Sequence, residues 1–81
     1  MKRSKLDILL HKREVLFRKI KAYERVREAL RGLADELKDD PYALEALNGI
    51  DNTVFNQLQM MYLGLKRLET SIKALERSAL Q

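Results

Sequence analysis

Apolar residues recur along the first half of the chain at alternating steps of three and four. The series runs Leu6, Leu9, Leu16, Ile20, Tyr23, Leu30, Ala34 and Leu37, and Arg13 and Arg27 fill its two remaining places. At about 100° per residue this spacing gathers all ten positions on one stripe of an α-helix, the pattern of a coiled-coil seam. No proline and only Gly32 interrupt the segment, so one helix is expected from about residue 3 to residue 38, roughly 55 Å long at 1.5 Å per residue.

A second apolar set, Ile8, Val15, Ala22, Val26, Ala29 and Leu33, lies more than about 90° around the same helix from the early part of that seam. A two-helix hairpin covers one side of each helix. The surplus stripe therefore calls for the middle segment or another chain, and Ile8, Val15, Ala22, Val26 and Leu33 are the expected oligomer interface.

Asp39-Asp40-Pro41 stops the first helix, because a residue before proline is pushed out of the α region; Asp40 then suits the N-cap and Pro41 the first helical position. Residues 41–48 read as a short connector helix ended by Asn48-Gly49. A last helix is expected over residues 52–79, with Asp51 as N-cap and Ile50 and Phe55 as a hydrophobic staple. Its seam, Val54, Leu58, Met61, Leu65, Leu68, Ile72, Leu75 and Ala79, holds strict heptad spacing and is the strongest pattern in the chain. Phe55 and Tyr62 flank it on one side, and the small residues Gly64, Ser71 and Ser78 flank it on the other.

The expected fold is all-α and a single domain over residues 1–81: a long antiparallel, coiled-coil-like helical hairpin with a short connector helix. Two copies would most simply associate about a two-fold axis into a four-helix bundle. A chain of 81 residues has a modest core and usually needs a staple or a partner. There is no cysteine, which removes disulfides and thiolate chemistry, and the single His11 cannot make a zinc site. Oligomerisation is the staple that remains.

Charged residues make up 35% of the chain and aromatics 6%, the balance of a helical, salt-bridged protein. The longest apolar run is the four residues Met60 to Leu63, against about 20 for a membrane span. No membrane association and a cytoplasmic location are expected. Residues 1–31 carry eleven Lys/Arg against four acids, while residues 32–81 carry five against eight. Such a basic first helix suits phosphate, an acidic partner, or the acidic half of its own neighbour.

Three groupings bear on chemistry. Ser4, Asp7 and His11 share a helical face, but a working triad needs a dry pocket and oxyanion donors that a helix end lacks. Asp35, Glu36, Asp39, Asp40 and Glu45 crowd the turn without the spacing, glycine and closing Glu of a calcium loop. Arg18, Lys21 and Arg25 lie outward on the first helix with Arg3, interleaved with Asp7, Glu14 and Glu28, whereas Lys5, Lys12 and Lys19 form a cleaner row between the two apolar stripes. Long lysine stems there can cover a seam while their ammonium groups stay wet.

Met60, Leu63 and Arg67 lie away from the last seam, and Met with Arg is a favoured contact composition. Together with Arg18, Lys21 and Arg25 they are the candidate partner-binding residues. No catalytic residue, cofactor or metal is expected. The sequence leads to a non-enzymatic interaction module, an adaptor, inhibitor or small regulator that binds itself and another protein. A nucleic-acid-binding module using the basic first helix is the alternative.

Overall fold

A computed structural model describes the backbone of residues 4–80 and the side chains of residues 4–78. Two helices, α1 (Lys5–Glu36) and α2 (Pro41–Leu80), run antiparallel and pack along their length. The result is a rod of 62 × 22 × 15 Å.

Each helix begins on a side-chain cap. The Ser4 hydroxyl accepts from the Asp7 amide at 3.1 Å, and one Asp40 carboxylate oxygen accepts from the amides of Tyr42 and Ala43, both at 3.1 Å. These bonds satisfy amides that a helix start leaves without partners, and they fix the chain reversal at Leu37–Asp40. The Leu37 amide still bonds the Leu33 carbonyl, so α1 stops about two residues short of the expected end at residue 38. Its expected start at Arg3 lies outside the described residues.

The connector and the last helix are one helix, which corrects the expected break at Asn48-Gly49. Gly49 has no positive φ, and a Cβ built on it would meet nothing within 4 Å. A glycine inside a helix costs only about 1 kcal/mol relative to alanine. Packing outweighs that here: Leu44 and Leu47 sit half-buried, lining a recess shared with Leu30 and Ala34 of α1. Their spacing continues through Asp51 to Val54 and holds the helix in phase across the glycine. The expected caps follow the same correction, since Asp51 lies in mid-helix and Ile50 and Phe55 staple no helix start.

The α1 seam falls where its periodicity places it. Leu6, Leu9, Arg13, Leu16, Tyr23, Arg27, Leu30 and Ala34 are half-buried and Ile20 is buried, while Leu37 past the helix end is exposed. On α2, Leu58 and Ile72 are buried and Val54, Met61, Leu65, Leu68 and Leu75 half-buried; the Ala79 side chain lies outside the described ones. Only Ile20, Leu58 and Ile72 are fully enclosed among the described residues. A two-layer rod has no deeper interior to offer.

Gly49→Ala tests the unbroken helix. It should stabilise the fold by about 1 kcal/mol through helix propensity, raising the melting temperature by roughly 4–8 °C. A melting temperature lowered by the same change would mean that Gly49 is needed in a helix-ending conformation.

Candidate interaction site

The hairpin has two broad faces, one on each side of the seam. The first carries a polar and aromatic cluster. Arg27 projects from α1 and grips Asp51 of α2 with two bonds, Nε to Oδ1 at 2.8 Å and Nη2 to Oδ2 at 3.1 Å. Its guanidinium lies 4.9 Å from the centre of the Phe55 ring, a cation–π contact. One turn along α1, the Glu24 carboxylate accepts from the Tyr62 hydroxyl at 3.0 Å. A shallow groove of about 230 Å³ runs between Glu24, Arg31, Phe55 and Tyr62.

Arg27 is one of the two charged residues in the α1 seam, and Asp51 explains its place there. The pair is only partly shielded, with side chains 25% and 28% exposed. The hydrogen bond from Arg27, and then the positive charges of Arg27 and Arg31, hold the Asp51 carboxyl below its ordinary range against an opposing effect of desolvation. The same bond raises the Arg27 guanidinium. Donation to Glu24, with partial burial and the nearby negative charge, raises the Tyr62 phenol.

The other broad face is largely apolar towards the turn and carries lysines towards the open end. Val26 and Gln57 flank the seam there, lining a shared groove with Tyr23, Thr53 and Val54. Steps of seven from Val26 reach Leu33 in one direction and Lys19, Lys12 and Lys5 in the other. From Gln57 they reach Ile50, Gly64 and Ser71. The second stripe of α1 borders this face, with Ile8, Val15, Val26 and Leu33 between 38% and 46% exposed and Ala22 also open. Gly64 is half-buried, and a Cβ on it would make only an ordinary contact with Leu16 Cδ2, at 3.8 Å.

The remaining candidates do not converge. Arg18, Lys21 and Arg25 are exposed on the outer side of α1, and Arg18 is bonded to Glu14 at 2.8 Å. Met60, Leu63 and Arg67 are exposed on α2, with Met60 at 67%. Leu63 and Arg67 share a shallow depression with Lys66, Thr70 and Ser71, apart from the α1 cations. Ser4, Asp7 and His11 are all exposed, and the Ser4 hydroxyl is engaged as a cap. No cluster of metal-ligating side chains occurs among the described residues, and no described helix is long and apolar enough to cross a membrane.

The total surface is 6871 Å² for a mass of 9.5 kDa. A compact monomer of that mass exposes about 5,000 Å². Comparison with protein-family models, with curated proteins and with solved structures finds no match.

The Arg27–Asp51 pair makes a pH prediction. A carboxyl lowered by folding contributes stability that is complete above its unfolded value, about 3.9, and that is lost as pH falls through the lower folded value. The melting-temperature advantage of the native chain over Asp51→Asn should hold steady above about pH 5 and shrink as pH falls below about 4. A gap that does not change over that range would show that the pair does not act through charge.

Proposed function

We propose that the chain is a non-enzymatic protein-interaction module that acts in the cytoplasm as a homo-oligomeric helical bundle, most simply a dimer. It would serve as an adaptor, inhibitor or small regulator that also presents its outer cations and the Met60, Leu63 and Arg67 patch to another protein. The observation that carries this reading is the exposed second stripe of α1. Ile8, Val15, Val26 and Leu33 are exposed along one side of α1 on a chain whose surface exceeds that of a compact monomer, and exposed apolar patches mark contact surfaces. An ordinary interface removes about 800 Å² from each partner, well within that excess. The grooves are shallow and open, and the polar side chains of the Arg27–Asp51 and Glu24–Tyr62 cluster are engaged with one another, which gives catalysis little to work with.

A second reading, nucleic-acid binding through the first helix, is favoured by the exposed row Lys5, Lys12 and Lys19. Acids interleave the other cations of α1, and no aromatic stacking platform accompanies the row.

Sedimentation over a range of concentrations tests the first reading. The native chain should sediment as a dimer or larger, and Ile8→Asp or Val15→Asp should give a folded helical monomer. Leu65→Asp, which puts a charge in the seam, should instead unfold the chain. A native chain that remains a monomer at high concentration rejects the reading. For the second, nucleic-acid binding should fall by about one log unit per log unit of salt for each phosphate contact; retention that is unchanged near half-molar salt rules phosphate contact out.

A further inference from the structure

Folding segregates charge along the rod. The open half, residues 4–21 with 60–80, carries ten Lys/Arg against four acids; the turn half, residues 22–59, carries four against eight. The molecule is therefore basic at its open end and acidic at its turn end. Each helix shows the same division: residues 5–21 hold six Lys/Arg against two acids and residues 22–36 three against four, while residues 41–59 hold none against two and residues 60–80 four against two.

We propose that two copies stack through the apolar face in opposite directions, about a two-fold axis near Ala22, so that the acidic turn end of each covers the basic open end of the other. The proposal rests on the self-association reading above and adds the occupant's orientation. Stacking in the same direction would set acidic end on acidic end and basic on basic, and like charges brought together select against an arrangement. Salt screens exposed charges beyond about 8 Å, so the choice is made where the ends touch.

Side-chain size agrees with the same orientation. Ile8, Val15, Ala22 and Ala29 lie at steps of seven along α1. A two-fold axis at Ala22 brings alanine against alanine at the centre, Val15 against Ala29 of the second copy, and Lys5 and Ile8 beside Asp39 and Glu36 of the second copy. On α2 the same operation lays Ile50, half-exposed on this face, between Gly64 and Ser71 of the second copy. A large side chain then meets small ones.

The chain has no cysteine, so single substitutions label it cleanly at exposed positions away from the face. Spin labels on a Lys38→Cys dimer should lie about 50 Å apart at 1.5 Å of helix rise per residue. Mixed His11→Cys and Lys38→Cys chains should bring their labels within about 25 Å of each other. Reversing the turn end with Glu36→Lys and Asp39→Lys should weaken low-salt self-association about tenfold or more. Adding Lys5→Glu and Lys12→Glu to the same chain should restore it. A dimer whose Lys38→Cys labels lie within about 25 Å, or one indifferent to the reversal, overturns the orientation while leaving self-association standing. A chain that never dimerises removes both.

Discussion

Two helices laid side by side touch along one stripe of each, and this geometric limit governs the rest of the molecule. The α1–α2 seam takes up Ile20, Leu58, Ile72 and their neighbours, leaving every other apolar residue of the rod at or near its surface. Burial of apolar area is the main favourable contribution to folding, at about 25 cal/mol per Å². A hairpin that keeps Ile8, Val15, Val26 and Leu33 in water forgoes much of it. The exposed stripe and the small enclosed core are two results of one two-layer architecture.

Within the seam, Arg27 and Asp51 have a different task from the leucines. Replacing a partly shielded ion pair with apolar residues is often neutral or stabilising, so such pairs are better understood as setting register. Leucines at heptad spacing tolerate a slip of one heptad with little loss. A bidentate guanidinium–carboxylate pair does not, because a slip would leave both charges without their partners. Phe55 beneath the guanidinium and the Glu24–Tyr62 bond one turn away bind the same two segments, so register is held on the polar face.

Much of the fold was legible in the sequence. The 3,4 series beginning at Leu6 identified the half-buried stripe of α1 residue by residue as far as Ala34, and Asp40-Pro41 marked the reversal. The connector was misread because Asn48-Gly49 is a local stop signal and Asp51 a local start signal, and local signals of about 1 kcal/mol yield to packing. A longer-range signal was present: Leu44, Leu47, Asp51 and Val54 hold one heptad phase. Reading Asp51 as a seam position would have matched it to Arg27, a charge out of place in the α1 seam. The Glu24–Tyr62 bond was not legible, since it depends on the relative stagger of the helices, which periodicity within each helix does not define.

Charge segregation along the rod needs only the antiparallel arrangement of the two helices. Divided by sequence, the chain has a basic first part and an acidic remainder, which suggests a cationic helix against an anionic one. Folding divides it differently: Lys66, Arg67, Lys73 and Arg77 of α2 come to the same end as Lys5, Lys12 and Lys19 of α1, while Asp35, Glu36, Asp39, Asp40 and Glu45 gather at the turn. The electrostatic axis thus runs along the rod and not across it. A field directed across the rod would favour stacking one helix on the unlike helix of a second copy. A field directed along it favours end-for-end reversal, and the apolar face between the ends, with Ala22 near its middle, is the surface on which that reversal can take place.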